Sequence, residues 1–175
     1  MTERIDQPST LAPFLDANAA LWHSILGVDA SALAAFGRIA ALAAGWVDLQ
    51  REALTELGVN HAELSVLGML RVSRPEHRRS PTQLRRLIGQ SSAGMTRILD
   101  KLEAEGHLRR EDIDGDRRRV DIVLTETGVA LAERGVGALL AVEDEVFAHL
   151  SPERRTAVVS ALDALLGAFA ARRTG

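Results

Sequence analysis

The sequence predicts a mainly α fold that carries one small β hairpin, and three observations predict it. Aromatic residues make up 3% of the 175 residues, whereas alanine and leucine dominate, and this composition favours helices over a β sandwich or barrel. Apolar residues recur at helical spacing along most of the chain. Between Gly106 and Thr125 the spacing changes to alternation of polar and apolar residues, which is typical of short, half-buried strands.

Two helices are predicted at the N-terminal end. The first spans about residues 9–26, and the second runs from a cap at Asp29 or Ser31 to about Leu57. Two apolar stripes lie on neighbouring faces of the second helix. A helix that is apolar over more than one face needs a partner beyond its own small domain, so we predict that residues 1–58 contribute to dimerisation.

The third helix is predicted to begin at a capping box formed by Asn60 and Glu63. Leu67 and Leu70 are core positions on this helix. Residues 71–79 follow it and are predicted to form a polar, proline-containing loop.

The next two helices are separated by a short turn. Ser80 followed by a proline gives a sharp helix start, and Gly89 ends that helix. A new helix begins at Ser91 or Ser92 and continues to Gly106. Two helices joined by a short glycine-containing turn indicate a helix-turn-helix.

Two strands follow this helix pair. The pattern predicts a short strand over 107–111, a charged turn over 112–118 and a second strand over 119–124. A small antiparallel hairpin directly after a helix-turn-helix forms a wing. We therefore predict a winged helix-turn-helix DNA-binding lobe at residues 59–124.

The remaining residues predict two further helices. Thr125 opens the first of them, which runs to about His149, and Ser151 caps the last. We predict that residues 125–175 are C-terminal dimerisation helices. The predicted fold is thus mainly α with a small β wing, in which a helical dimerisation region carries the winged lobe.

The charge of the chain is unevenly distributed. The overall net charge is −3, yet residues 71–119 hold 13 basic and 8 acidic side chains. The rest of the chain holds 8 basic and 16 acidic side chains. A basic middle between acidic ends is typical of a DNA-reading module mounted on a separate scaffold.

The predicted wing carries the most specific motif. Asp116 and Arg118 are followed by Leu124 and Thr125, and this pattern resembles the wing signature of the MarR family, Asp-x-Arg-x5-Leu-Thr. The resemblance extends over about residues 30–170. It implies a ligand-responsive transcriptional regulator, in most cases a repressor, that acts as a homodimer on a pseudo-palindromic DNA operator. The extra N-terminal helix is similar to the urate- and aconitate-responsive branch of that family.

The predicted DNA contacts come from the wing and from the helix-turn-helix. Arginine suits the negative potential of the narrow minor groove, and Asp116 can orient the Arg118 guanidinium through a bidentate pair. An ordinary surface ion pair on a solvated turn is the alternative interpretation of those two residues. The predicted DNA-binding residues are Thr82, Ser91, Ser92, Thr96, Arg97, Arg117, Arg118 and Arg119, with Asp116 as wing support.

The resemblance also implies a site for a small anionic effector. The residues that would form it are Trp22, Ser65, Arg97, Arg109 and Arg110. Ser65 stands where the urate-responsive branch has an acidic residue, and this departure counts against urate itself, whereas arginine suits any carboxylate. Plain hydrophobic packing is the alternative role for Trp22.

Several other functions lack a motif in this sequence. There is no cysteine, so disulfides and thiolate metal sites are excluded. The histidine spacings do not suggest a metal site, and neither a phosphate loop nor a nucleophile elbow occurs, so we expect no cofactor and no enzyme activity. The absence of an uninterrupted apolar run of about 18 residues and of a secretory signal leads us to expect no membrane association and a cytoplasmic location. A winged-helix protein–protein adaptor that does not bind DNA is the alternative function.

Overall fold

The computed structural model describes residues 8–73, 76–113 and 116–174, and it describes residues 8, 9, 113, 116–119 and 174 by their backbone alone. The chain divides into two compact units, Met1–Glu52 and Ala53–Gly175. The helices are α1 (Pro8–Leu26), α2 (Ser31–Leu54), a 3-10 turn (Thr55–Leu57), α3 (His61–Arg71), α4 (Pro81–Ile88), α5 (Ser92–Ala104), α6 (Glu126–Ala148) and α7 (Pro152–Thr174). The strands are β1 (Arg78–Arg79), β2 (Leu108–Ile113) and β3 (Asp116–Leu124). The mainly α fold with a small sheet is confirmed.

The first unit is a pair of helices held by close packing and one ion pair. Gly37 of α2 lies against Leu15 of α1, so closely that a Cβ at residue 37 would fall 2.5 Å from a Leu15 methyl group. Arg38 donates to both carboxylate oxygens of Asp16 at 2.8 and 2.9 Å and to the Ala12 carbonyl at 3.4 Å. The absence of a side chain at residue 37 and the ion pair of Arg38 with Asp16 together hold α1 against α2.

One helix meets the length and composition expected of a membrane span. Residues 31–57 contain an 18-residue window with a mean hydropathy of 1.4, only 6% of which is buried. This test uses length and composition alone, and a core helix of a soluble protein can pass it. Arg38 lies inside this helix and is paired with Asp16, and a charged pair of this kind is costly in lipid. One such helix is therefore weak support for a membrane span.

The sheet of the second unit has three antiparallel strands in the order β1-β3-β2. Residues 71–79 were expected to form a loop, and this expectation is wrong for Arg78 and Arg79, which pair with Val123 and Ile122 of β3. The turn into β1 passes through His77, whose φ is 53° and whose carbonyl accepts from the Leu124 amide at 3.3 Å. A strand of two residues is too short to show alternation in a sequence.

The hairpin strands are longer than the sequence predicted. The charged turn was placed at residues 112–118, but pairing continues through Asp112 with Val120 and, after a bulge, Ile113 with Asp116. The hydrogen bonds of a β ladder join backbone groups, so charged side chains do not prevent them. The prediction used side-chain charge alone, and it therefore ended the strands too early. Residues 114–115 lie outside the described part of the chain.

A continuous apolar core joins α3, α4, α5, the sheet and the start of α6. The predicted core residues Leu67 and Leu70 are fully buried in it, and Met95, also expected in the core, is 3% exposed. The other large members are Val66, Leu84, Leu99, Leu102, Leu108, Ile122, Leu124 and Leu131. Each such side chain stabilises the fold by roughly 1.5–3 kcal/mol relative to an exposed position.

The end of the sheet, the end of α5 and the start of α6 meet at one joint. Thr125 caps α6, and its hydroxyl donates to the Gly106 carbonyl at 2.7 Å. Thr127 donates to the same carbonyl at 2.8 Å. Gly128 packs directly against the His107 backbone, where a Cβ would lie 1.8 Å from the carbonyl oxygen. The joint therefore fixes the last turn of α5 to the first turn of α6.

Candidate nucleic-acid interface

The geometry of the helix-turn-helix follows from its caps. The Ser80 hydroxyl accepts from the Gln83 amide at 3.3 Å, and the Gln83 side chain accepts from the Ser80 amide at 3.0 Å, which is a reciprocal capping box. Gly89 ends α4 with a φ of 72°. The Ser91 hydroxyl then accepts from the Gly94 amide at 3.0 Å and opens α5. The predicted helix, turn and helix are confirmed, and of the two serines Ser91 is the cap.

Helix α5 has one buried face and one exposed polar face. Met95, Leu99 and Leu102 are buried in the core. Ser92, Thr96 and Arg97 are exposed. The Thr96 hydroxyl donates to the Ser92 carbonyl at 3.0 Å, so this oxygen can still accept a hydrogen bond and its methyl group is free for apolar contact.

Arginines on both helices extend this polar face. Arg97 of α5 and Arg86 of α4 are exposed, and Arg85 of α4 is half-buried. Among the described residues, none of the three forms an ion pair. Unpaired guanidinium groups beside the N-terminus of a helix form a suitable surface for phosphate. We use the name reading face for the set Thr82, Arg85, Arg86, Ser92, Thr96 and Arg97.

A cavity of about 200 Å³ opens beside this face, between α4, α5 and β2. Its lining residues are Pro81, Thr82, Arg85, Ser92, Met95, Thr96, Leu99 and Arg110. Met95 and Leu99 supply an apolar floor, whereas hydroxyl groups and two guanidinium groups stand around it. The volume lies below the range of about 300–1,000 Å³ typical of drug-sized ligands, so the cavity suits a smaller molecule. The guanidinium groups of its lining favour a molecule with an anionic group.

Arg110 connects the wing to α5 at the edge of this cavity. Its guanidinium donates to Asp100 at 2.6 Å and is also paired with Glu103, both on α5. Arg109, on the opposite face of β2, donates to Glu111 at 2.7 Å. Glu111 also pairs with Arg78 of β1 at 3.2 Å, which ties the outer strands of the sheet together.

The sequence of this lobe matches a known family. Residues 57–119 match the sequence profile of the MarR family. This segment is therefore similar to the MarR family. PecS, a transcriptional regulator from Dickeya dadantii, is 37% identical over 105 residues, which are 60% of this chain and 61% of PecS. The chain thus spans less than two thirds of the length of that relative.

Solved structures of MarR-family proteins share the fold. A variant of Escherichia coli MarR in complex with operator DNA superposes with a TM-score of 0.64 at 22% identity, over 83% of this chain and 98% of that one. BpsR from Bordetella bronchiseptica, whose DNA binding is regulated by 6-hydroxynicotinic acid, superposes with a TM-score of 0.58 at 24% identity, over 69% of this chain and 84% of that one. At these identities the likeness shows a common winged-helix fold.

The structure brings some predicted site residues together, whereas others lie on different elements. Thr82, Ser92 and Thr96 line one cavity with Arg110. Ser65 lies on α3, where its hydroxyl donates to the His61 carbonyl at 2.7 Å. The remaining predicted effector residues lie elsewhere: Arg97 on the exposed face of α5, Arg109 on the far face of β2, and Trp22 in the first unit with 44% exposure.

The predicted wing contacts fall on residues whose side chains are not described. Asp116, Arg117, Arg118 and Arg119 belong to β3 by their backbone. Their side chains lie outside the described part of the chain. The predicted pair of Asp116 and Arg118 therefore lies outside it as well.

Sequence reasoning did not predict this cavity. Half of its lining residues were not among the predicted site residues, namely Pro81, Arg85, Met95 and Leu99. The signal that could have revealed the cavity is the spacing of Ser92, Thr96 and Leu99, which lie on neighbouring faces of one helix next to the start of α4. Without the packing angle of α4 against α5, that spacing does not predict an opening between them.

Proposed function

We propose that this chain is a transcriptional repressor that binds DNA as a homodimer and releases it when a small anion occupies the cavity beside α5. The observation that carries the proposal is the reading face, which presents three arginines without ion pairs among the described residues, next to two hydroxyl groups of α5. The fold shared with an operator-bound MarR supports it. Repression follows if the dimer covers promoter DNA and so excludes the transcription machinery.

The proposed complex places α5 in the major groove. Two copies would bind half-sites of a pseudo-palindrome about one helical turn, roughly 34 Å, apart. The wings would reach the flanking minor grooves, with Arg118 oriented by Asp116 and flanked by Arg117 and Arg119. Phosphate contacts from Arg85 and Arg86 would set the register of the helix on the duplex.

Exposed apolar surface supports the proposed homodimer. In the first unit the exposed residues of α1 include Phe14, Leu21, Trp22, Ile25 and Leu26. In the second unit those of α7 include Val158, Val159, Leu162, Leu166 and Phe169. Contiguous apolar surface of this kind marks an interface, and a stable one buries about 800 Å² on each partner. We propose that such a dimer remains in the cytoplasm with its DNA.

The cavity supports a proposed effector site. Thr82, Ser92 and Thr96 line the cavity and also belong to the reading face. A ligand there would therefore compete directly with DNA for the same side chains. The guanidinium of Arg85, which has no ion pair among the described residues, would hold a carboxylate, and the floor of Met95 and Leu99 would hold an aromatic ring.

The DNA-binding proposal is tested by titrating salt. Fluorescence anisotropy with a duplex from the promoter next to the gene should show log affinity that falls linearly with log salt. Arg97→Ala should weaken binding and reduce the slope by about one per protomer, because one phosphate contact is lost. Arg134→Ala, an exposed position on α6, is the matched control and should change neither. An absence of salt-dependent binding in the wild type would instead favour the adaptor function.

The effector proposal is tested by displacement. A thermal-shift screen of aromatic and polycarboxylate anions, starting with 6-hydroxynicotinic acid, should identify a compound that also releases the duplex. Arg85→Met should abolish this response, whereas Arg109→Met, on the far face of β2, should retain it; each response is measured relative to the variant's own affinity for the duplex. Equal responses of the two variants would contradict a site at this cavity.

A further inference from the structure

Lys101 is the single lysine among the 21 basic residues of the chain, and it lies in the second half of α5. Its ammonium donates to the Glu63 carboxylate at 2.8 Å and to the Gly58 carbonyl at 3.3 Å. Glu105, one turn further along α5, is more distant at 3.9 Å. The ammonium is therefore directed at the segment 58–63 and not at the exposed polar face of its own helix.

The carboxylate that receives Lys101 is buried and does two tasks. The Glu63 side chain is only 6% exposed. The same oxygen that binds Lys101 also accepts from the Asn60 amide at 3.0 Å, which completes the capping box of α3. A buried carboxylate needs a compensating cation, because burial of an unpaired charge is costly. Lys101 supplies that cation from α5.

The segment that Lys101 holds is the junction between α2 and α3. Gly58 ends the 3-10 turn that follows α2, with a φ of 68°, and residues 59–60 then lead into α3. The hydrogen bond that Lys101 donates to Glu63 raises the pKa of Lys101, so the ammonium remains charged well above neutral pH. A fixed cation thus joins the chain that leaves the long helix to the helix that carries the reading face.

We propose that Lys101 is a positioning residue for DNA binding: through Glu63 and Gly58 it fixes the angle of α5 without contacting the duplex. This inference rests on the proposed function, since it concerns how the reading face is presented. The joint at Gly106, which binds Thr125 and Thr127, holds the C-terminal end of α5. Lys101 adds a second contact about one turn earlier, and two contacts constrain the orientation of α5 more tightly than one.

The test is duplex affinity as a function of salt for variants of this contact. Lys101→Met should lower the affinity about tenfold, within the range seen for positions that couple distant sites. Its salt slope should equal that of the wild type, because no phosphate contact is lost. Lys101→Arg should remain within about twofold of the wild type because it retains the cation. Glu105→Gln, which removes only the distant partner, should have no effect.

A second variant separates positioning from folding. In Lys101→Gln combined with Glu63→Gln, a neutral hydrogen bond replaces the ion pair and no unpaired charge remains buried, so the double variant should fold even where Lys101→Met does not. It should bind DNA more weakly than the wild type while its circular dichroism spectrum at the assay temperature is unchanged. Wild-type affinity in both the double variant and Lys101→Met would overturn the inference, and so would a reduced salt slope like that of Arg97→Ala. If the wild type itself does not bind duplex, the proposed function fails before this inference is reached.

Discussion

Replacement of Gly128 by alanine tests the joint at which the wing, α5 and α6 meet. A Cβ at this position would lie 1.8 Å from the His107 carbonyl oxygen, whereas real Cβ contacts almost never fall below 3.0 Å. The neighbour is backbone and cannot rotate away, so it must shift by about 1.2 Å. The same carbonyl accepts the Thr125 amide at 3.2 Å, and a shift of this size would break that bond as well.

The expected cost follows from two opposing effects. Overpacking against a rigid neighbour costs about 3 kcal/mol, at the upper end of the usual range, and alanine in a helix returns about 1 kcal/mol relative to glycine. The net loss is on the order of 2 kcal/mol, which lowers Tm by about 4–8 °C for a chain of this size. Thermal unfolding at a fixed protein concentration measures it, since dimerisation would make Tm depend on concentration.

Gly137 provides the matched control on the same helix. A Cβ there would meet nothing within 4 Å, so Gly137→Ala should raise the stability by about 0.5–1 kcal/mol. The opposite signs expected at residues 128 and 137 isolate the contact with His107 from helix propensity. A Gly128→Ala variant at least as stable as the wild type would refute the close approach of α6 to the end of α5.

Three further outcomes are expected. Arg38→Ala should lower the stability by about 0.5–1 kcal/mol in urea unfolding, because its partner Asp16 is largely exposed and such pairs contribute little; a loss above about 3 kcal/mol would mean that the pair is buried by a partner. Thr127→Val should lower the stability by about 1 kcal/mol through loss of its hydrogen bond to Gly106, with Thr156→Val on α7 as the control that changes little. Because the pKa of Lys101 is raised in the folded protein, its ion pair stabilises the protein fully below the unfolded pKa of 10.5 and loses this effect as the pH rises through the higher folded pKa. The difference in stability between the wild type and Lys101→Met should therefore be constant at pH 6–9 and shrink above about pH 10.5. A difference that shrinks at neutral pH would be inconsistent with this origin.

Local capping chemistry explains why the helix-turn-helix could be predicted closely from the sequence. Ser80, Gly89 and Ser91 each act within their own turn, through hydrogen bonds to neighbours three residues away or through a positive φ. Such interactions depend only on residues close in sequence, so they can be recognised in the sequence before the packing of the helices is known. The same holds for Thr125, which caps α6 as expected.

Features that depend on long-range packing could not be predicted in this way. Strand β1 has two residues and exists because β3, more than 40 residues later, offers it a free edge. The cavity exists because α4 and α5 diverge next to β2, and no local pattern encodes that angle. The contact of Lys101 with Glu63 spans 38 residues and involves a glutamate whose local role as a capping residue was already sufficient to explain it.

The positive charge of residues 71–119 first suggested DNA binding. Among the described side chains, much of this charge takes part in ion pairs within the fold. Most cations of residues 71–119 that have described side chains are neutralised by nearby carboxylates. These are Arg71, Arg78, Lys101, Arg109 and Arg110, which pair with Glu133, Glu76, Glu111, Glu63, Asp100 and Glu103. Arg79 instead donates to the Ser73 hydroxyl.

The cations that remain without an ion pair among the described residues of α4 and α5 are Arg85, Arg86 and Arg97. Arg85 lines the cavity together with Ser92, the first residue of α5. Arg86 and Arg97 are exposed on α4 and α5. Net charge over a sequence window does not distinguish these cations from those that form ion pairs. It counted cations that serve the fold, and the ion pairs of the structure separate these from the ones that are free to meet phosphate.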